Sequence, residues 1–537
     1  MISSVFSSVS LTRWGVWLIV LGLFVAPLSM VVSLALGDNQ FPILLEQGLG
    51  TAVRHSLVTT LASAVGAVVL GTLIAIVLDR TDARGTGALR LFLLSPLLVP
   101  PFIGAIAWMH IFGPNQGINK IVGHDVWNIY GADGVTFLLM VHSYPTVYVI
   151  IASALRSIPS DLEEAARIAG ASTWTILRTV TLPLLRPALL SAFTLTAVAN
   201  LADFGIPAIL GAPTGYETLA TMIYRFMDSG TVDNPLQVVS TIGVVLLVLG
   251  IGAVIADYAV SLWAASAIQD TGTAHRFALG SARWPVTLIA WVLGLAVSLG
   301  PILGLAYRAL LPAPGVPFTL ETITLGNFSK ALSNPRVIDG FTNSVLLALG
   351  AAVLCGALGW LIGVLVTRTQ LRGNTALTLV VLLPTALPGL IIGVAWLIVG
   401  RYTGLYNTIW LILFAYVCAF TALVVQSVRA PLHNTPVAVE EAARISGAGP
   451  VRALLSTTGA MALPAALSGA VLVAVTAVRE LTVSILLIAP GTTTLGVQVF
   501  NLQQAGNYNQ ASALSLLFAI IGIAALALTV RPPKVRS

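Results

Sequence analysis

Charged side chains are scarce in this sequence. Asp, Glu, Lys and Arg make up 9% of its 537 residues, against roughly 25% in ordinary soluble domains, while 57% of the residues are hydrophobic. A soluble globular protein is therefore excluded. Apolar runs of about 20 residues, each long enough for a helix to cross roughly 30 Å of hydrocarbon, recur along the chain and predict an all-α polytopic membrane protein.

Cysteine and lysine are also rare. Cys355 and Cys418 each lie within an apolar run, which predicts buried packing residues rather than a disulfide or a metal pair. None of the three lysines, Lys120, Lys330 and Lys534, ends a G-x-x-x-x-G-K-[ST] pattern, so this chain has no P-loop. We therefore expect no enzyme activity and no cofactor in this chain, and the scattered histidines predict no metal site.

Twelve apolar windows predict twelve transmembrane helices, the first being a retained signal anchor. Cytoplasmic connections are richer in Lys and Arg, and with the N-terminus inside the cell 18 of the 26 basic residues lie on that side. We expect a multi-pass protein of the cell (inner) membrane, in contact with lipid, with both termini cytoplasmic. The formal charge of +6 reflects this asymmetry, and no nucleic-acid partner is expected. The windows cover approximately residues 14–36, 56–78, 90–112, 134–155, 187–210, 237–260, 285–309, 344–366, 376–399, 407–428, 464–489 and 510–530.

The chain contains an internal repeat. The nine residues 163–171 recur 277 residues later as 440–448 and differ only at Ser446. Because six spans, an even number, separate the two copies, the halves are predicted to be parallel six-helix repeats. We place them at 1–265 and 285–537, joined by a cytoplasmic linker at 266–284. Other pairs recur 288 residues apart: His55-Ser56 and Asn343-Ser344, Arg80-Thr81 and Arg368-Thr369, Pro96 and Pro384, Pro100 and Pro388, Trp108 and Trp396.

The repeated nine residues are charged and strongly helix-forming, so each copy is predicted to be a short helix outside the bilayer. Ser160 and Glu163 have the spacing of a capping box, whereas Thr435-Pro436 offers an N-cap followed by proline. Gly170 and Gly447 are placed to end the two helices. A single copy is compatible with an amphipathic helix on the headgroups, but lipid does not require a fixed sequence, and two nearly identical copies favour docking of a protein.

This motif resembles the EAA loop of ATP-binding-cassette importer permeases. The first copy also has Leu182-Pro183 downstream, where the second has Gly459-Ala460. The resemblance implies a type I importer permease fold, two partner ATPase subunits that hold ATP and Mg, and an external substrate-binding protein. It places the EAA loops at 161–183 and 438–460. The implied ATPase-coupling residues are Glu163, Glu164, Ala165, Ala166, Arg167 and Gly170 in the first copy, and Glu440, Glu441, Ala442, Ala443, Arg444 and Gly447 in the second.

The segments 203–211 and 216–224 are similar to those of fused ferric-iron importer permeases, a group that shades into permeases for thiamine, 2-aminoethylphosphonate and polyamines. This resemblance implies inward transport of ferric iron by ATP-driven alternating access. Two rivals from other classes stay open, an ion-coupled secondary transporter and a non-transporting membrane scaffold.

Asp203 and Glu480 are 277 residues apart and fall within predicted spans, where a charge is costly and normally faces protein or water. One interpretation is a translocation path that attracts cations, to which Asn200 and Arg479 also belong. The other is a pair of structural acids, with Glu480 neutralised by an arginine and Asp203 hydrogen-bonded near Asn200. Pro100 and Pro388 are candidates for helix bends that line the same path.

Overall fold

The computed structural model of the chain describes residues 13–97, 99–230, 232–263, 277–369, 373–433 and 435–529. Within these ranges the regular elements are helices, and the only β contact is an isolated parallel bridge between Thr81 and Phe277. The prediction of an all-α protein is therefore confirmed. Residues 266–276 of the predicted linker lie outside the described residues.

Nine helices in the described part of the chain are long and apolar enough to cross a membrane. They are Arg13–Ala35, Leu49–Arg80, Ala132–Arg156, Thr173–Ala202, Pro235–Ala253, Gly280–Ala309, Pro335–Arg368, Ile409–Arg429 and Val451–Val478. The count becomes 11 if each of two bent helix pairs forms one span. The twelfth predicted span, 510–530, corresponds to the helix Tyr508–Thr529. The shorter helices are Phe41–Glu46, Ser160–Ile168, Leu219–Asp228, Gly326–Leu332, Ala438–Ile445 and Leu495–Gln504.

The third and ninth predicted spans are not continuous helices. Thr86–Leu97 and Pro101–Val122 meet at 103°, and Asn374–Thr385 and Gly389–Thr403 meet at 106°. Pro100 and Pro388 are the residues just before the second helix of each pair, with φ of −54° and −55°. Proline has no N–H to donate and disfavours a helical conformation in the residue before it, which explains why both breaks fall at these prolines.

The fifth and eleventh spans end earlier than predicted. Their helices stop at Ala202 and Val478, and each is followed by a non-helical turn. Asp203 and Glu480 therefore lie after the helix and not within it. The apolar residues that follow them misled the sequence-based boundaries, because hydropathy cannot distinguish a buried turn from a helix.

The chain forms two compact units, each containing segments of both sequence halves. One unit comprises residues 1–47, 223–247 and 332–501, and the other comprises 48–222, 248–331 and 502–537. In the first unit, Val16, Val20 and Phe24 of the N-terminal helix belong to a core that also includes the unpaired Cys355 and Cys418. In the second unit, the helix Arg283–Ala309 packs on Pro101–Phe112 and on Tyr508–Thr529. The boundaries 1–265 and 285–537 stay a prediction about the repeat.

The same close helix crossing occurs once in each unit. A Cβ on Gly71 would lie 2.8 Å from Cβ of Val147, and one on Gly359 would lie 2.6 Å from Cβ of Val424. These pairs occupy repeat-equivalent positions, since the two glycines are 288 and the two valines 277 residues apart. Glycine at the crossing lets the backbones approach, which is how small residues strengthen helix association in membranes.

Candidate functional site

The first motif helix, Ser160–Ile168, ends in a Schellman turn. Gly170 has φ of 85°, and its N–H donates to the Arg167 carbonyl oxygen at 2.9 Å. The N–H of Ala171 donates to the Ala166 carbonyl oxygen at 3.0 Å. Only glycine takes this left-handed conformation without a steric penalty, so the predicted role of Gly170 as the end of the helix is confirmed. Ser172 then caps the next helix by accepting a hydrogen bond from the Thr175 N–H.

Glu163 anchors this motif helix inside its own unit. Its side chain is fully buried, with Oε2 3.0 Å from Nη1 of Arg80 at the end of the second span. Its other oxygen, Oε1, accepts a hydrogen bond of 2.9 Å from the hydroxyl of Thr181, and Arg80 also donates to the Leu155 carbonyl oxygen at 2.8 Å. One buried carboxylate therefore joins the motif helix to the second and fifth spans.

The second motif helix, Ala438–Ile445, repeats this arrangement in the other unit. Nε of Arg368 lies 3.4 Å from Oε1 of Glu440, and the hydroxyl of Thr458 donates to the same carboxylate. Arg368 also donates to the Thr435 carbonyl oxygen at 2.7 Å. Gly447 ends the helix with φ of 90°. Each member of this group is the repeat counterpart of one in the first, but here the arginine and glutamate side chains keep 7% and 14% of their exposure.

Neither predicted helix start is correct. The residue before the first motif helix is Pro159, and no side-chain capping bond is made there. Ser160 is the first helical residue, and Glu163 cannot complete a capping box because its carboxylate is bound to Arg80 and Thr181. Val437 precedes the second helix, also without a side-chain cap. The tertiary ion pair outweighs the local cap in the first copy.

The remaining motif residues form an exposed surface on each helix, which we name the motif surface. Its exposed members in the first copy are Glu164, Ala165, Arg167, Ile168 and Gly170, and in the second Glu441, Ala442, Arg444, Ile445 and Gly447; Ala166 and Ala443 are half-buried. Ile168 is 88% and Ile445 87% exposed. Glu163 was predicted to share this face, but its burial removes it. Two nearly naked isoleucines at equivalent positions indicate a surface that binds a protein, because large exposed apolar side chains within a repeated patch are uncommon without a partner.

The described end of the linker packs beside the first anchor. The Phe277 N–H donates to the Arg80 carbonyl oxygen at 2.7 Å, and the Asp82 N–H donates to the Phe277 carbonyl oxygen at 3.2 Å. Arg283 completes the contact with an ion pair to Asp82 at 3.5 Å. Residues 277–283 are therefore fixed to the loop that follows the second span.

Asp203 and Glu480 have the same local role in their respective units. Oδ1 of Asp203 accepts a hydrogen bond of 2.9 Å from the Ile206 N–H. The Glu480 carboxylate accepts hydrogen bonds of 2.5 Å and 3.0 Å from the N–H groups of Val483 and Ser484. Both acids cap the turn after a span, which favours the structural interpretation. Their part in a translocation path stays a prediction.

Asn200 binds two neighbouring helices. Its Oδ1 accepts a hydrogen bond of 2.6 Å from the Ser143 hydroxyl, and its Nδ2 donates to the Ser63 hydroxyl oxygen at 2.8 Å. This amide therefore ties the fifth span to the second and fourth. Arg479 is the residue that ends the helix before Glu480. Among the described residues, no group of three or more His, Cys, Asp and Glu side chains is arranged to hold a metal ion.

The family model described as "Binding-protein-dependent transport system inner membrane component" matches residues 67–263 and 356–531. Each match contains one motif helix and its anchor. The chain belongs to this family. As an inner membrane component of a binding-protein-dependent transport system, it carries the family segment twice in one polypeptide.

Two relatives of this inner membrane component are ferric transport permeases. It is 25% identical over 381 residues to the "Putative ferric transport system permease protein FbpB 1" of Haemophilus influenzae, covering 68% of this chain and 58% of the relative. It is 24% identical over 475 residues to the "Ferric transport system permease protein FbpB" of Actinobacillus pleuropneumoniae, covering 85% and 67%. The chain thus spans less than two thirds of the first relative. A solved bacterial ABC transporter involved in the import of alginate gives a TM-score of 0.40 at 17% identity, over 47% of this chain and 98% of that one.

Sequence reasoning missed the partners of the motif glutamates. Arg80 and Arg368 were interpreted only as orientation signals, and Thr181 and Thr458 were not considered. The repeat contained the signal, because each arginine pair and each threonine pair recurs at the same offset as its surroundings. The exposed isoleucines were missed because a lone apolar residue next to charges has no periodic signature.

Proposed function

We propose that this chain is the permease subunit of a binding-protein-dependent, ATP-driven importer. The observation that carries the proposal is the pair of motif helices, each anchored by a buried or nearly buried glutamate and each presenting an exposed isoleucine. Two such surfaces fit two copies of an ATPase subunit on the cytoplasmic side. The chain has no P-loop, so the partners would supply ATP and Mg.

The anchors suggest how force would pass from the ATPases to the spans. Closure of the ATPase pair would displace each motif helix. The first is tied through Glu163 to Arg80 and Thr181, so its displacement would pull directly on the second and fifth spans. The second helix has the same connections. Alternating access between inward-open and outward-open states follows as a proposal in which the motif helices are handles and the anchors are their fixings.

For the cargo we propose ferric iron, supported by the printed names of the relatives at about 25% identity. Iron would be held by ligands of an external binding protein and released into the permease. Thiamine, 2-aminoethylphosphonate and polyamines are the alternative cargoes. In this account the motif helices face the cytoplasm, and so do both termini.

The test is reconstitution of the chain in liposomes with its ATPase and an iron-loaded binding protein. We expect uptake of radioactive ferric iron that requires ATP and is not reduced by excess thiamine, 2-aminoethylphosphonate or spermidine. Uptake of one of those compounds instead of iron would replace the cargo and keep the mechanism. Uptake driven by a proton or sodium gradient without any ATPase would refute the mechanism and favour an ion-coupled transporter.

A further inference from the structure

A second candidate site lies at the end of one unit opposite its motif helix. The helix Ala132–Arg156 runs from this end to the motif end, where Leu155 meets Arg80. A cavity of about 230 Å³ opens here, lined among others by His110, Gln116, Lys120, Tyr307 and Arg308. No Asp or Glu is among its lining residues. The site shares no residue with the motif surface or with the candidate path.

Arg308 is the residue that makes this cavity unusual. It is 9% exposed, and the described residues give its guanidinium no hydrogen bond and no ion pair. The ionisable groups that act on it most strongly are the phenols of Tyr307, Tyr508 and Tyr130. A buried cation without a counter-charge is unfavourable, so its presence at a cavity wall calls for an anion that enters from outside.

Two further donors surround the same space. Lys120 is exposed and has no hydrogen-bond or ion-pair partner for its ammonium group among the residues described. Gln116 is held in place through its Oε1, which lies 3.1 Å from Nδ1 of His110, and its amide nitrogen is left to donate elsewhere. The opposite ring nitrogen of His110 is 2.9 Å from the Ser512 hydroxyl, so the imidazole is fixed as part of the wall.

We propose that this cavity binds a small oxyanion, a phosphate or a group of the same shape and charge. A guanidinium presents its N–H groups as a planar fork that matches such oxygens, and an ammonium adds a second positive charge. The volume of about 230 Å³ holds a phosphate and a few waters. It is below the range of about 300–1,000 Å³ usual for larger ligands. Free phosphate and the phosphate of a lipid headgroup share this chemistry.

The repeat supplies a matched control. His110 and Pro114 have their counterparts at Ile398 and Tyr402, which line a cavity of about 400 Å³ in the other unit. That cavity is lined by both Arg401 and Asp233, so its positive charge is balanced by a carboxylate. An excess of positive charge is therefore a property of the Arg308 cavity alone within this equivalent pair. Arg401→Gln should leave oxyanion binding unchanged.

The experiment is calorimetric titration of the full chain, purified without phospholipid, with inorganic phosphate and separately with a short-chain soluble phosphatidylglycerol. We expect at least one of them to bind. Arg308→Gln should weaken that binding at least about tenfold, and Lys120→Gln, on an exposed residue that cannot disturb the core, by about threefold. Arg308→Lys, which keeps the charge, should bind within about threefold of the unaltered chain. Binding of phosphate marks a free anion as the source, and binding of the lipid alone marks a headgroup.

The proposal is overturned if neither probe binds the unaltered chain at millimolar concentration. It is equally overturned if Arg308→Gln and Lys120→Gln bind as tightly as Arg401→Gln does. None of these outcomes depends on ATPase or cargo, so they leave the proposed transport function untouched.

Discussion

The Glu163 carboxylate and the Arg80 guanidinium form an ion pair with 3.0 Å between Oε2 and Nη1, and both side chains are fully shielded from solvent. Desolvation makes such a pair a poor source of stability by itself, but removing one partner leaves the other as an uncompensated buried charge. The pair therefore fixes the position of the motif helix strongly. Thr181 strengthens it by donating to the second carboxylate oxygen.

Glu163→Gln should destabilise the chain by about 3 kcal/mol, because Arg80 would remain buried without its counter-charge. Glu440→Gln should cost less, since Arg368 and Glu440 keep some contact with solvent. The measurement is the free energy of unfolding in mixed detergent micelles. The control is Glu164→Gln, on the exposed neighbour of Glu163, which should change it by less than about 0.5 kcal/mol. Equal losses for Glu163→Gln and Glu164→Gln would contradict the anchor.

The sequence alone predicts much of this fold, for identifiable reasons. Apolar windows locate the long helices, and the proline pairs locate the breaks before Pro101 and Gly389, because both signals are local. The ends of the fifth and eleventh spans were misplaced, since a buried turn after Ala202 or Val478 is as apolar as a helix. The partnership of Arg80 with Glu163 joins residues far apart in the chain, and no local pattern records it.

Gly170→Ala should destabilise the motif corner by about 1 kcal/mol, because alanine is strained at φ of 85°. Gly170→Asn should cost less, since asparagine tolerates the left-handed region. Space is not the cause, as a Cβ at this position would meet no atom within 4 Å. Hydrogen exchange of the 160–171 backbone measures the effect. Faster exchange in the asparagine variant than in the alanine variant would show that the conformational explanation is wrong.

Gly71→Ala and Gly359→Ala should each destabilise their unit by about 2 kcal/mol, because the added methyl group would overlap Val147 or Val424. The matched control is Gly50→Ala, in the same helix as Gly71, where a Cβ would meet no atom within 4 Å. That change should be neutral or stabilising, as alanine favours helices over glycine. Thermal unfolding followed by circular dichroism compares the three. A similar loss at Gly50 would remove the close crossing as the explanation.

Ile168→Asp together with Ile445→Asp should reduce copurification of the ATPase at least about tenfold, because a charge replaces the apolar centre of both motif surfaces. The stability of the chain itself should not change, since both isoleucines are almost fully exposed. Ile121→Asp is the control, as this residue is 85% exposed at the opposite end of its unit. Loss of ATPase with the control variant as well would indicate a general defect in assembly.

The most direct test of the central claim is site-specific photo-crosslinking in the assembled transporter. A photo-reactive phenylalanine analogue is placed at the position of Ile168, of Ile445 or of Ile121 in otherwise unaltered chains. The account predicts a crosslink to the ATPase subunit from positions 168 and 445 and none from 121. Crosslinks that are missing from both motif positions while the ATPase still copurifies would contradict the claim that the motif helices are its docking sites.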